Sequence, residues 1–219
     1  CPALGIAIPV GKDSLSMQTS WITSEDSQSV TSPVTLNVSA FAPITDARNV
    51  ITPELRGGET QLLLLTLNRK VRLGGSAISQ VVEGFEDECP DIDDAKTLKI
   101  FLETVQNLCA SGRVLALHDR SDGGLIVAVL EMAFAGRIGV DILASENLLA
   151  DLFNEEVGVV VQVSARDVAS ITNDAAAVNI CVNHVGRTRI DEEIFIYVNE
   201  RVAFHSSRAE LEKIWATTS

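Results

Sequence analysis

The segment from residue 114 to residue 136 constrains the fold of this chain most strongly. Residues 114–117 are typical of a buried strand, and residues 125–135 predict a helix that is apolar nearly all round. A helix without a polar face is buried on several sides, so we expect this one in the middle of the fold, after a central strand. Between the two stands the polar run His118-Asp119-Arg120-Ser121-Asp122-Gly123-Gly124.

The polar run predicts a site for a metal-chelated phosphate. Unpaired backbone N–H groups at the amino end of a helix attract phosphate oxygens. Asp119 and Asp122 would repel an anion directly, so an anionic ligand needs a divalent cation between them, and Mg²⁺ suits carboxylates beside a nucleotide. The alternative is that Ser121 or Asp122 only caps the helix while Gly123 and Gly124 allow tight packing. Asp119 lies too far from the helix start to be its cap, which favours the Mg²⁺–nucleotide interpretation.

Composition narrows the class of protein. The chain has 219 residues, of which 46% are hydrophobic, enough for a real core. Its net charge of −13 argues against a nucleic-acid partner, which would need a surplus of Lys and Arg. No apolar run approaches the roughly 20 residues that span a bilayer, and the amino end does not resemble a signal peptide. We therefore expect a soluble, cytoplasmic protein without a membrane partner.

The order of patterns predicts an incomplete domain followed by a complete one. Residues 4–10 and 34–41 are predicted as strands, the second by its period-2 alternation, so residues 1–50 would be the C-terminal strands of a first domain. The polar break at 51–58 predicts a linker, and residues 59–219 a second domain. Because the chain does not begin with Met, we expect a fragment of a longer protein.

Strand and helix patterns mix within the second domain. Strands are predicted at 61–67, 139–143, 157–163, 182–188, 194–198 and 202–205, and helices at 76–84, 94–111, 165–176 and 206–215. Since they do not alternate strictly, the fold class expected is α+β, an α/β sandwich, and not a doubly wound parallel sheet.

Two other constellations carry weaker signals. Lys12 and Asp13 follow the first predicted strand, and Lys12 could meet a phosphate, although the glycines of a P-loop are missing and an ordinary polar turn explains the segment by itself. Glu155 and Glu156 precede a buried strand. Adjacent side chains point in different directions, so we do not expect these carboxylates to converge, and we expect at least one of them at the surface. His118 adjoins the Asp119 loop and could orient it.

Four blocks of sequence stand in order along the chain: residues 8–17 (IPVGKDSLSM), 31–33 (TSP), 118–125 (HDRSDGGL) with 131–136 (EMAFAG), and 152–156 (LFNEE). Together they resemble one enzyme family, the large, single-chain phosphoribosylformylglycinamidine synthases of purine biosynthesis. The joint occurrence of the four blocks carries the resemblance, because the third block alone occurs more widely among aminoimidazole-ribonucleotide-synthetase-like proteins.

The resemblance implies a place within a larger enzyme. In this family two similar synthetase halves, each of two α/β domains, precede a glutaminase domain, and the chain is similar to part of the second half. The missing first half and glutaminase domain would be its partners. The family is an ATP-dependent carbon–nitrogen ligase that converts formylglycinamide ribonucleotide, glutamine, ATP and water to formylglycinamidine ribonucleotide, glutamate, ADP and phosphate.

The resemblance also implies the site residues. Asp119 corresponds to a Mg²⁺ ligand and Ser121 to a nucleotide contact of an auxiliary ATP/ADP site, with Lys12, Asp13, Asp122, Gly123 and Gly124 as its neighbours. No catalytic residue is expected, and the fragment alone should be inactive. Two alternatives stay open: a non-catalytic structural module clamped by a nucleotide, and a sister enzyme such as aminoimidazole ribonucleotide synthetase, against which the block at residues 11–17 argues.

Overall fold

The chain folds into two compact units, Cys1–Val50 and Ile51–Ser219. The computed structural model describes residues 1–12, 17–24, 26–32, 36–44, 46–82 and 88–217. Among these residues, no helix is both long and apolar enough to cross a bilayer.

The first unit contains a hairpin and two short 3₁₀ helices. Strands β1 (Gln18–Ile22) and β2 (Ser27–Thr31) pair antiparallel, with Trp21 opposite Gln28. The hairpin is closed by Thr23, whose backbone N–H donates to the carbonyl oxygen of Asp26 at 2.8 Å. The 3₁₀ helices are Pro2–Leu4 and Ala47–Asn49.

The two strands predicted in this unit are not formed. Leu4 ends a 3₁₀ helix, while residues 6–10 and 36–41 have no regular secondary structure; residues 34 and 35 lie outside the described residues. Apolar side chains of these segments are exposed, Ile8 at 71% and Phe41 at 97%. A strand needs a neighbour for its backbone hydrogen bonds, and in the described part of this unit neither segment is paired. The polar region between them forms the hairpin instead.

The second unit is built on one seven-stranded sheet. Its strands are β3 (Thr60–Thr66), β4 (Val114–Asp119), β5 (Val140–Ala144), β6 (Gly158–Ser164), β7 (Cys181–Thr188), β8 (Glu193–Val198) and β9 (Arg201–Ser207). They lie in the order β4-β6-β3-β7-β5-β8-β9, antiparallel except for the parallel pair β5 and β8. The predicted α+β class is confirmed.

The described residues of this unit form six α-helices beside the sheet: α1 (Ala77–Val81), α2 (Ala95–Ala110), α3 (Gly124–Gly136), α4 (Leu148–Phe153), α5 (Val168–Ala176) and α6 (Arg208–Trp215). Helix α4 was not expected from the sequence, because six residues are too few to display a helical period. Helix α1 ends at Val81, short of the predicted residue 84, and residues 83–87 lie outside the described part of the chain.

The main core lies between helix α3 and one face of the sheet. Leu125, Val129 and Met132 of α3 pack in one cluster with Leu62 and Val160 of the central strands. The neighbouring residues of these strands point to the opposite face and are buried as well, so β3 and β6 are covered on both sides. The prediction of a deeply buried helix is confirmed.

Strand β4 is an edge strand of the sheet and not a central one, because among the described residues it pairs with β6 alone. Its other side is partly covered by the chain: the N–H of Leu117 donates to the carbonyl oxygen of Thr52 at 3.1 Å. An apolar run does not distinguish an edge strand covered by chain from a central strand. The loop that follows β4 therefore lies at an edge of the sheet.

Candidate functional site

The loop between β4 and α3 is held by backbone bonds and by glycine. The N–H of Arg120 donates to the carbonyl oxygen of Gly158 at 2.9 Å, and that of Gly124 to the carbonyl oxygen of Ser121 at 2.9 Å. Gly123 and Gly124 have φ of +84° and +74°, which L side chains rarely adopt. A Cβ on Gly124 would lie 2.7 Å from the carbonyl oxygen of Leu152. Tight packing at these glycines, one part of the alternative interpretation, is thus present.

Asp119 and Ser121 face outward from this loop. The Asp119 side chain is 74% exposed, and its carboxylate lies 3.5 Å from Nδ1 of His118. Ser121 and Asp122 are also exposed. Neither of them caps α3, whose N-cap is Gly123 with no side-chain hydrogen bond. The capping part of the alternative is therefore wrong, and the oxygens of Asp119 and Ser121 are accessible to a ligand.

The helix cap comes from Glu155 across the fold. Its Oε1 accepts hydrogen bonds from the N–H of Gly123 at 2.7 Å and from the N–H of Ala77 at 2.8 Å. One carboxylate thus joins the starts of α1 and α3, a position that the helix dipole favours. Because the Gly123 N–H is taken, the expectation of unpaired N–H groups at this helix start does not hold for Gly123.

Glu156 is buried completely and does not lie at the surface. Its carboxylate forms an ion pair with the Arg72 guanidinium, which raises the pKa of Arg72 above its usual range. It also accepts a hydrogen bond of 3.2 Å from Nδ2 of Asn68. Since Glu155 is itself half-buried, the predicted surface placement is wrong, while the predicted divergence of the two side chains is right. Glu155 binds the N–H groups of Gly123 and Ala77, and Glu156 pairs with Arg72. These partners are distant along the chain, so the residues that flank Glu155 and Glu156 in the sequence do not indicate them.

His118 connects the loop to two helices. Its Nδ1 donates to the Asp119 carbonyl oxygen at 2.6 Å, and its Nε2 lies 3.1 Å from Glu131 of α3. The other carboxylate oxygen of Glu131 accepts a bond of 3.1 Å from Nε1 of Trp215 in α6. The imidazole therefore ties the backbone of Asp119 to the packed interior, as expected for a residue that orients the loop.

The donor set fits Mg²⁺ that arrives with a nucleotide and does not fit a bare metal ion. Within the described ranges, no three His, Cys, Asp or Glu side chains converge on one point. Mg²⁺ is commonly held by one or two carboxylates together with phosphate oxygens and waters. Asp119, with Asp122 close in sequence, supplies that number of carboxylates.

The predicted neighbours Lys12 and Asp13 belong to the first unit. Lys12 is exposed, and Asp13 lies outside the described residues. Asp119 belongs to the second unit, so a role for Lys12 or Asp13 beside Asp119 stays a prediction. Asp122, Gly123 and Gly124 belong to the loop itself.

One feature of the second unit was not predicted from the sequence: a cavity of about 650 Å³. Arg120, the residue between Asp119 and Ser121, lines it together with Arg69, Lys70 and Asn183. The alternation of side chains along an extended chain could have indicated this role of Arg120. Because Asp119 points outward, the next residue, Arg120, is expected to point inward.

Two family matches follow the chain in order. Residues 1–43 match the FGAR-AT PurM_N-like domain, and residues 60–199 match the C-terminal domain of AIR synthase related proteins. The second match covers well over half of the chain. The chain belongs to the AIR synthase related family.

Solved structures from Thermotoga maritima share this fold. The chain is similar to PurL complexed with FGAR, with a TM-score of 0.62 and 12% identity over 84% of this chain and 30% of that one. For PurL complexed with ATP, the TM-score is 0.61 and the identity 11%, over 84% of this chain and 28% of that one. For PurLQS, the TM-score is 0.61 and the identity 11%, over 75% of this chain and 28% of that one. The chain thus spans less than a third of the length of these proteins, and identities this low show the fold alone.

Proposed function

We propose that this chain is part of the second synthetase half of a large phosphoribosylformylglycinamidine synthase and contributes an auxiliary Mg²⁺–nucleotide site. The observation that carries the proposal is the order of the two family matches, an FGAR-AT PurM_N-like domain followed by an AIR synthase related C-terminal domain. On this proposal, residues 1–50 are the tail of one domain, residues 51–58 a linker, and residues 59–219 the next domain. A sister enzyme would not account for the first match.

The similar PurL structures support the ligand class. Their descriptions include complexes with ATP, ADP and FGAR. By analogy, the whole enzyme is a cytoplasmic ligase that uses ATP and glutamine to convert formylglycinamide ribonucleotide to formylglycinamidine ribonucleotide. The remaining synthetase half and the glutaminase domain would be partners of this chain in the same polypeptide.

The residues of the loop have distinct roles in this proposal. Asp119 offers an exposed carboxylate to Mg²⁺, and Ser121 offers a hydroxyl to a phosphate oxygen. His118 holds the backbone of Asp119 through its hydrogen bond of 2.6 Å. Bound Mg²⁺ would neutralise phosphate charge, which lets the nucleotide approach the carboxylates of Asp119 and Asp122.

A structural role is the second candidate for the same site. The loop is connected to α1 through Glu155, to α4 through the close approach of Gly124 to Leu152, and to α6 through His118 and Glu131. A nucleotide held on this loop would stabilise all of these elements, because a ligand that binds only the folded state raises the free energy of unfolding. In that case Mg²⁺-ADP acts as a clamp and takes no part in the chemistry.

Calorimetric titration of the chain with ADP in the presence of Mg²⁺ tests the site. We expect saturable binding that requires Mg²⁺, is lost in Asp119→Asn and is weakened in Ser121→Ala. Asp174→Asn is the matched control, since its carboxylate is 55% exposed and pairs with Arg113 elsewhere. Absence of Mg²⁺-dependent binding, or equal loss in both aspartate variants, would contradict the site.

A turnover assay tests the auxiliary role, and urea unfolding tests the clamp. We expect no glutamine- or ammonia-dependent product from the chain alone, together with a higher urea midpoint when Mg²⁺-ADP is added. Measurable product formation would contradict the auxiliary role. Binding of Mg²⁺-ADP without any rise of the midpoint would contradict the clamp.

A further inference from the structure

The cavity of about 650 Å³ carries a positive charge that contrasts with the rest of the protein. Arg69, Lys70 and Arg120 line it, against a single acidic residue, Asp151. The whole chain has the opposite balance, with 30 Asp and Glu against 17 Lys and Arg. Its volume lies within the range of about 300–1,000 Å³ that is usual for small-molecule sites.

Arg120 is the most deeply buried of the three cations, with 7% of its surface exposed. Its Nε donates to the carbonyl oxygen of Glu156 at 2.6 Å and its Nη2 to the hydroxyl of Thr66 at 3.3 Å. These are neutral acceptors, and the Glu156 carboxylate is instead paired with Arg72. Burial lowers the pKa of Arg120 to about 10, although the negative charge of Glu156 acts in the opposite direction and raises it.

Among the described residues, no carboxylate therefore contacts the Arg120 charge, which is costly for a buried ion. Its Nη1 makes no hydrogen bond within the part of the chain that the structure describes. Among the described residues, every side-chain nitrogen or oxygen that is fully buried has a hydrogen-bond partner. Since Nη1 has none, this atom must be accessible to solvent. Arg120 lines the cavity and thus brings to it a buried guanidinium with one unused donor, Nη1.

Further donors surround the same space. Arg69 uses its Nε to donate to the Cys181 thiol at 3.2 Å, and neither of its Nη atoms has a partner in the described ranges. The exposed amide of Asn183 adds another polar group to the lining. The other two charged residues that line the cavity, Lys70 and Asp151, already have partners. Lys70 forms an ion pair with Asp93 at 2.7 Å, and the Asp151 carboxylate accepts a hydrogen bond of 2.6 Å from the N–H of Ser145.

We propose that this cavity binds a small organic phosphate monoester, with Arg120 and Arg69 as its anchors. Two guanidinium groups match the two negative charges of such an ester, and their planar donors suit phosphate oxygens. The volume leaves room for a polar organic group beside the phosphate. A carboxylate would leave one of the two charges uncompensated.

This site is separate from the proposed Mg²⁺–nucleotide site. Asp119 and Arg120 are adjacent, but the Asp119 side chain is exposed and that of Arg120 is buried, as expected for neighbours along an extended chain. Asp119 and Ser121 do not line the cavity. The cations supply the charge here, so binding should need no metal ion.

Backbone amide NMR titrations of the whole chain, with EDTA present, test the proposal. The probes are glycerol 2-phosphate, inorganic phosphate and acetate. We expect saturable shifts at the residues that line the cavity, with glycerol 2-phosphate bound most tightly and acetate not saturating. The same shifts in Asp119→Asn would separate this site from the nucleotide site. No saturation by glycerol 2-phosphate below about 10 mM, or tighter binding of inorganic phosphate or acetate, would overturn the proposal.

Charge variants identify the anchors. We expect Arg69→Gln to weaken glycerol 2-phosphate binding by about tenfold or more, because it removes hydrogen bonds between charged groups. Arg166→Gln is the matched control: that side chain is 86% exposed and lies outside the cavity, so its affinity should be unchanged.

Arg120→Lys keeps the charge while it removes the planar donors, and we expect it to weaken binding as well. Circular dichroism would check that this variant folds, and Arg69→Gln decides the matter if it does not. Unchanged affinity in Arg69→Gln, or equal loss in Arg166→Gln, would overturn the proposal.

Discussion

Replacing Gly124 by alanine should destabilise the protein through two separate effects. At φ of +74° the residue is in the left-handed region, which costs about 1–2 kcal/mol for an L residue. The new Cβ would also lie 2.7 Å from the carbonyl oxygen of Leu152 and 2.8 Å from the Cα of Phe153. These are backbone atoms of α4, which cannot rotate away, so we add about 1–3 kcal/mol for overpacking. We expect a total loss of about 2–5 kcal/mol.

Gly112→Ala provides the matched control. Gly112 has φ of +71°, and nothing lies within 4 Å of the Cβ that it would gain. The backbone cost is shared, so the difference between the two variants measures the close approach of the loop to α4. Urea unfolding followed by circular dichroism gives both free energies, provided that the m-values agree. Equal losses in the two variants would refute the argument that this contact fixes the loop.

Three further predictions concern the frame of the second unit, and urea unfolding measures each. Gln162→Leu should cost about 1–3 kcal/mol, because buried Gln162 accepts the Arg56 N–H at 2.9 Å and donates to its carbonyl oxygen at 2.6 Å; an unchanged midpoint would contradict this. Leu62→Ala should cost about 2–5 kcal/mol, since Leu62 is fully buried, and a smaller loss would mean that the core collapses. Hydrogen bonds, first from the Thr97 side chain and then from the N–H groups of Lys96 and Thr97, lower the pKa of Asp94 from its ordinary value. The stability that Asp94 contributes should therefore be present above the ordinary pKa of an aspartate and be lost as the pH falls through the lowered pKa; acid sensitivity that is equal in Asp94→Asn would rule this out.

The parts of the fold that the sequence predicts are those with a local signal. The apolar run of β3 and the periodic face of α2 need no knowledge of their neighbours, and the structure places these elements within two residues of the prediction at either end. The segments at 6–10 and 36–41 carry similar apolar patterns, yet they are unpaired in the described part of the first unit. Alternation indicates that a segment suits a strand, but it does not supply the partner.

The site divides in the same way. Asp119, Ser121 and the glycine pair stand in one continuous run, so their type and spacing are visible in the sequence. The roles of Glu155 and Glu156 depend on Ala77 and Arg72, more than 70 residues away. The cavity beside Arg120 depends on β3, β7 and α4 together. No local pattern reports contacts between segments so distant.

Paramagnetic relaxation by Mn²⁺ tests the central claim most directly. Mn²⁺ replaces Mg²⁺ beside carboxylates and phosphates, and it broadens the NMR signals of nearby amides. With ADP present, we expect the strongest broadening at residues 119–124, its disappearance in Asp119→Asn, and little effect on α5 in either protein. Broadening centred away from this loop, or unchanged in Asp119→Asn, would contradict a metal–nucleotide site at the start of α3.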